Sequence, residues 1–538
     1  MNLAPRLLLI AACVIAVFGR TAGFDFVWDD YDFIVNNDEI KNLSNIPSFF
    51  TESTAGLYRP MRTVLYAFGY AAFGLNPGLY HLFGLILHIA ASILVYRLIA
   101  LLVKSDNAAL FGALVFALHP VHIEKIIFVT SVFDIPGDIS VLAAVYFYAK
   151  YRTGGVGKNL RLTFLFFTFG LFFSETVTAL PFILAAMEVT VFCKKEDTRE
   201  RTANFALFFI ILAAYIALRT AVIGRVGRPP DAVDYWSIQA MMQYVYLYYW
   251  RLLAIPWPLS PVAPLEPMEP ICAYCIAALA VNIAMLGAAW RARAGVPLAA
   301  LAVFWFYTSI LPNSNLIPTG TLMAERYLYI PSVGLSLMAA HFYGTSSRFK
   351  KPAVFLVLAL LALLSFVQAG NWRNGETLWK SALKVSPESV IAWRNLGAWY
   401  RENGRMEEAV KVYTEMLSKG VGTTLALSEL AAYAIDAGKF ELAEKQLGAL
   451  VRLEPGNAAH TTNLIVARCQ LNRPGWREEA GRLLKKRPSA FLYEQVGTCH
   501  AKAGERERAM DAFEQGLALD PANESIKRKI RLLEGSVE

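Results

Sequence analysis

Charge is what this chain has little of: 17% of its 538 residues are Asp, Glu, Lys or Arg, while 56% are apolar. A soluble globular protein carries about 25% charged residues, so the balance excludes that class and indicates a membrane protein. Cysteine is also scarce. Six residues at irregular spacings provide no disulfide framework. Cys272 and Cys275 sit at the start of an apolar helix with no other metal-type ligand beside them, and read as packing residues. The net charge of +8 is scattered over short loops, which gives no ground for a nucleic-acid partner.

Long apolar runs are abundant instead. Windows that suit spanning helices fall at about 5–23, 80–103, 107–121, 135–149, 162–174, 177–193, 203–222, 271–290, 296–311, 328–345 and 351–369, eleven in all. The first reads as a retained helix rather than a signal peptide. Segment 241–260 is rich in aromatics, contains Arg251, ends in prolines and reads as interfacial or re-entrant. Tyr and Trp flank the runs, as rings anchored at the headgroup level do. Alternating sides collects Lys104, Lys150, Arg152, Lys158, Arg161, Lys194, Lys195, Arg199, Arg201, Arg291, Arg293, Arg348, Lys350 and Lys351 in loops on one side. By the positive-inside rule that side is cytoplasmic. The opposite face then receives loops 24–79, 223–270 and 312–327 and everything after residue 370.

From residue 370 the composition turns soluble and a period of 34 residues appears. Trp393, Leu396, Gly397, Tyr400, Ala409 and Tyr413 occupy the packing positions of a tetratricopeptide repeat, and Leu430, Gly438, Ala443 and Pro455 recur in phase. A degenerate copy covers about 458–489, and a cleaner one carries Val496, Gly497, Gly504, Ala509, Phe513 and Pro521. Trp379, Ala382 and Pro387 fit the second helix of a preceding repeat, whose first helix falls on the last span. The expected fold is all-α: a polytopic membrane bundle over residues 1–369 with a first extracytoplasmic loop at 24–79, then an α-solenoid over 370–538 capped near 522–535. Cys469 and Cys499 lie on first helices of neighbouring repeats and read as small core residues, with pairing the alternative in an oxidising compartment.

Carboxylates beside a membrane are costly to desolvate, which draws attention to Asp29 and Asp30, a few residues past the first span. Held in a cavity, one of them becomes a better general base. On the same face lie His119, His122, Glu124 and Lys125 after the third span, then Glu175, and then Arg59, Arg62 and Arg326. The i, i+3 spacing of His119 and His122 suits a metal with Glu124 or an Asp as third ligand, and equally a protonated His or Lys125 suits an anionic phosphate. The convergence of these groups on one leaflet points to a polar cavity there.

The acidic pair, Tyr58-Arg59-Pro60, His119-Pro120-Val121-His122-Ile123-Glu124, the Glu325-Arg326 to Pro331-Ser332 segment and the trailing solenoid resemble the transmembrane and tetratricopeptide-repeat-containing O-mannosyltransferases. The resemblance implies a glycosyltransferase of the GT-C type that takes a sugar, such as mannose, from a polyprenyl phosphate and passes it with inversion to a hydroxyl of a protein Ser or Thr. It also implies catalytic Asp29 or Asp30, and donor contacts among Arg59, Arg62, His119, His122, Glu124, Lys125, Glu175 and Arg326. No cofactor follows, and a divalent metal stays open. Where relatives carry Lys-Glu-Gln after the fifth span this chain reads Ser174-Glu175-Thr176, and it has fewer repeats than animal members. Partners would be the lipid-linked sugar, membrane lipid and an acceptor protein in the solenoid groove. The rival readings are an anchored scaffold and an enzyme with a lipid or polysaccharide acceptor. The compact loops favour a bacterial inner membrane with a periplasmic solenoid over an endoplasmic reticulum with a lumenal one.

Overall fold

The computed structural model describes residues 3–54, 56–192, 198–225, 227, 234–262, 273–318, 320–345 and 351–534. Lys194, Lys195, Arg348, Lys350 and Cys272 lie outside the described residues. Among the described residues the chain is helical, with one isolated bridge between Thr54 and Leu57 and no strand. It divides into two compact units, Met1–Pro387 and Glu388–Glu538.

In the first unit, six described helices are long and apolar enough to cross a bilayer, or seven if the bent pair Asp106–Leu118 and Pro120–Ile127 is one span. The chain is an integral membrane protein. The expected count of about eleven is not confirmed by this measure. Four of the expected spans are the helices Gly157–Leu171, Leu180–Thr190, Pro297–Ile310 and Ser332–Thr345, of 15, 11, 14 and 14 residues. Each is shorter than the ~20 residues a straight span needs. Segment 241–260 contributes to a 20-residue helix, Tyr235–Ala254, capped at its start by Asp234.

Glycines let these helices approach closely, as small residues do between membrane helices. A methyl group at Gly334 would come within 2.6 Å of the Ala302 carbonyl oxygen. Proline sets the break that matters most for the site. Pro120 holds His119 in extended backbone (φ −74°, ψ 128°), and the chain bends by 50° there. The following turn carries Glu124 and Lys125 inward, both buried.

The loop between the first two spanning helices is packed against this bend. Phe26, Ile34, Ile40 and Phe49 share a buried cluster with Tyr66, Tyr80, Val129, Val132 and Phe133. Burying apolar side chains of this size is worth about 1.5–3 kcal/mol each, so the loop is held by its own core.

The second unit is built of paired helices, Val390–Glu402 through Glu524–Glu534. Gly404, Gly438 and Gly504 turn the chain at φ +72°, +67° and +76°. In the degenerate repeat Asn472 takes that place at φ +53°, a conformation that Asn tolerates better than other side chains. A methyl group at Gly497 would come within 2.6 Å of the Phe513 ring, so glycine is what lets the two helices of that repeat close. Cys469 and Cys499, expected as separate core residues, are instead joined in a disulfide with Cα atoms 5.8 Å apart. The two first helices that carry them pack side by side around Trp476, which brings both thiols into one small core.

Candidate active site

Asp29 and Asp30 lie in the turn that follows Trp28, a residue held at φ +54°. A left-handed conformation costs a residue with a Cβ roughly 1–2 kcal/mol, and here it is sustained by aromatic packing. The Trp28 ring stacks on Phe128 at 5.4 Å and meets Trp379 edge-on at 5.3 Å. The Asp25 N–H also donates to the Arg373 carbonyl at 3.0 Å, so the loop is tied at two points to the segment after the last span.

The two aspartates then part. Asp30 is fully buried. Its carboxylate accepts from the Val27 N–H at 3.0 Å and from the N–H and hydroxyl of Thr130, both at 2.7 Å. Burial pushes its pKa up to about 7 against the pull of those three hydrogen bonds. Asp29 is part-buried among charged side chains. Burial raises its carboxyl above the usual range, the Arg326 guanidinium opposes that shift, Asp32 and Glu124 add to it, and Arg62 opposes it.

Around Asp29 the bend and the neighbouring turns assemble an ionic network. Glu124 accepts from the Arg326 backbone N–H at 3.0 Å and also pairs with its guanidinium. Arg59, the residue before the helix Pro60–Phe73, donates from Nε to Glu175 at 2.6 Å and from Nη1 to Asp134 at 3.1 Å. Arg62, one turn on, reaches the same Asp134 oxygen at 3.2 Å. Its buried Nε has no hydrogen-bond partner among the described residues. Arg219 approaches Glu175 at 3.9 Å. Lys125 pairs with Asp138 at 2.9 Å.

Glu175 is presented by a turn in which the Ser174 hydroxyl accepts from the Thr176 N–H at 3.3 Å. Ser174 therefore serves the backbone while Glu175 serves the network. Glu325, beside Arg326, is buried and accepts from the Ser260 N–H at 2.6 Å.

The two histidines are used differently from a metal centre. His119 Nε2 lies 3.0 Å from the Leu253 carbonyl and His122 Nε2 lies 2.8 Å from the Ser332 hydroxyl. With Glu124 committed to Arg326, the metal alternative for His119 and His122 with Glu124 as third ligand is not assembled. No group of three His, Cys, Asp or Glu among the described residues is placed to hold an ion. His122 sits instead in an aromatic nest, with ring centroids 4.5 Å from Phe116 and 4.8 Å from Tyr329.

Asp134, Asp138 and Arg219 were not among the expected site residues. Asp134 and Asp138 are one turn apart in a segment apolar enough to span, and intramembrane carboxylates are functional candidates by default. That was the available signal. Arg219, near the end of a spanning helix, looks like an ordinary flanking cation in the sequence.

A tetratricopeptide-repeat family model matches residues 360–420, beginning inside the last spanning helix where the repeat pattern places its first half. Human protein O-mannosyl-transferase TMTC3 is 22% identical over 480 residues, covering 76% of this chain and 50% of its own length. A Caenorhabditis elegans protein O-mannosyl-transferase is 26% identical over 451 residues, covering 76% and 62%, and mouse TMTC4 is 24% identical over 494 residues, covering 76% and 65%. This chain is similar to the repeat-bearing protein O-mannosyl-transferases. It spans about half to two thirds of the length of those relatives. Among solved structures, a tetratricopeptide repeat protein from Parabacteroides merdae matches at 14% identity and TM-score 0.25, covering 47% of this chain and 98% of its own, too loose a superposition to support any reading of the site.

Proposed function

We propose that the chain is a membrane glycosyltransferase that moves a sugar, mannose by its similarity to the relatives, from a polyprenyl-phosphate donor to a Ser or Thr hydroxyl of a protein. The observation that carries this reading is the part-buried Asp29 carboxyl, raised by its surroundings and interacting with Arg326 and Arg62. A carboxylate so poised accepts a proton readily, and adjacent guanidinium groups receive a phosphate.

In the proposed step the acceptor hydroxyl oxygen bonds to the anomeric carbon as its proton passes to Asp29. The bond from that carbon to the phosphate oxygen breaks, and its electron pair leaves with the lipid phosphate. Arg326, Arg62 and Arg59 hold the charge that develops on the leaving oxygen. One base and no carboxylate nucleophile imply inversion at the anomeric carbon. Asp30, with its oxygens occupied by Val27 and Thr130, acts in this reading as a positioning residue that fixes the turn. The solenoid supplies a groove for an extended acceptor segment.

The test is transfer by the purified full chain from radiolabelled polyprenyl-phosphate mannose to a Ser- and Thr-rich peptide, with the product anomer read by NMR. Label on the peptide with the anomeric configuration opposite to the donor's is the expected result. Retention of configuration would contradict the single-base step, and no transfer to peptide, lipid or polysaccharide would favour a scaffold.

A further inference from the structure

On the side of the bundle that carries the basic loops, the cations at helix ends are treated in two ways. Arg6 pairs with Asp106. Arg152 and Arg201 share the buried Glu188, at 2.7 and 3.4 Å. Arg97 and Lys150 have no carboxylate within ion-pairing distance among the described residues, although they lie in the last two turns of two long helices packed against each other, Pro77–Val103 and Ile135–Gly154. Their common neighbour is a phenol. Arg97 Nη2 donates to the Tyr146 oxygen at 3.4 Å, and the Arg97 and Lys150 charges lie 6.0 and 5.7 Å from the Tyr146 ring centroid.

The three side chains border a cleft of about 220 Å³ that Leu3, Tyr96 and Ala100 also line. The carboxylate in its wall, Asp106, is already engaged by Arg6 and by the Tyr96 hydroxyl at 3.3 Å. Two cations therefore face a recess with no anion of the protein's own to answer them. Lys150 is exposed and Arg97 half-buried, and the abundant anion at the edge of a bilayer is a lipid phosphate, which attracts such cations. The recess offers a planar guanidinium fork and an ammonium, which suit a phosphodiester. Leu3, 43% exposed, gives the cleft an apolar rim over which acyl chains can leave.

We propose that this cleft binds the phosphodiester headgroup of an anionic phospholipid, with Arg97 and Lys150 holding its oxygens. The inference is independent of the transfer reaction, since it involves none of the residues around Asp29. The experiment is native mass spectrometry of the detergent-purified full chain titrated with phosphatidylglycerol, with phosphatidylcholine and inorganic phosphate as comparison arms. Phosphatidylglycerol should bind in preference to phosphatidylcholine. The Arg97→Ala/Lys150→Ala chain should bind it about tenfold or more weakly, while Lys158→Ala/Arg161→Ala, on the same side but outside the cleft, should bind as the parent does. If the double variant is not recovered folded, Arg97→Gln alone should still show the loss. Unchanged binding in the Arg97 variants, or equal binding of phosphatidylcholine, would overturn the site. Displacement of the lipid by an equal concentration of inorganic phosphate would overturn the lipid as its ligand.

Discussion

Asp30 gives both carboxylate oxygens to protein donors, whereas its neighbour Asp29 faces charged side chains. From that difference two pH dependences follow. As the proposed base, Asp29 must be ionised, and burial raises its pKa, so kcat/KM should fall on acidification through a limb lying above the ordinary aspartate value near pH ~4. Asp32 adds to the shift, so Asp32→Asn should move the limb to lower pH. A limb that stays put or moves up would detach it from Asp29. Asp30, pushed up to about 7, binds a proton on folding at pH values between its unfolded and folded pKa. Its contribution to stability is therefore full below about pH 4 and is lost as pH rises to about 7. The melting temperature of the parent chain relative to Asp30→Asn should decline across that window, and a flat difference would contradict the assignment. At this scale much could be read without coordinates. Asp29, Arg59, Arg62, Glu124, Glu175 and Arg326 announce themselves because charge at a membrane boundary needs a reason. His119 and His122 stayed open between metal and phosphate because spacing along a chain does not say which way a ring turns.

The turn that carries Asp29 is clamped by Phe128, Trp28 and Trp379, and such aromatic contacts are worth about 0.5–1.5 kcal/mol each. If the clamp positions the proposed base, Trp379→Ala should lower kcat by about 2- to 10-fold with KM little changed. An unaltered kcat would make the contact purely structural. Backbone strain can be separated from ring packing at Trp28 itself. Trp28→Gly accepts φ +54° without penalty and Trp28→Ala does not, so the glycine variant should be the more stable by about 1 kcal/mol in thermal unfolding. In the second unit, the Cys469 to Cys499 bridge spans 30 residues of sequence. Its loss in Cys469→Ser should cost about 3–4 kcal/mol in the chain-entropy view. An equal melting temperature with and without reductant would mean that the thiols are not joined. The 34-residue period made the repeats legible, down to the degenerate copy. Asn472 at the turn was not legible there, because a pattern scored on glycine passes over the residue that can replace it.

Over the whole molecule the two units differ in what revealed them. Hydropathy identified a membrane bundle, while four of its eleven expected spans are, among the described residues, helices of 11 to 15 residues, in runs interrupted by proline and by short turns. Charge asymmetry gives the proposed orientation, with the basic loops cytoplasmic and the repeats outside. Protease added to intact spheroplasts of expressing cells should then remove the repeats and spare the bundle, and repeats protected until lysis would reverse the orientation. The proposed chemistry rests on Asp29 acting as the base of a sugar transfer from a lipid phosphate. The most direct measurement is the rate of that transfer in proteoliposomes holding polyprenyl-phosphate mannose and either the parent chain or Asp29→Asn. Loss of a general base predicts a drop of about 10²–10⁴-fold with donor binding retained. Transfer by Asp29→Asn at the parent rate would contradict it.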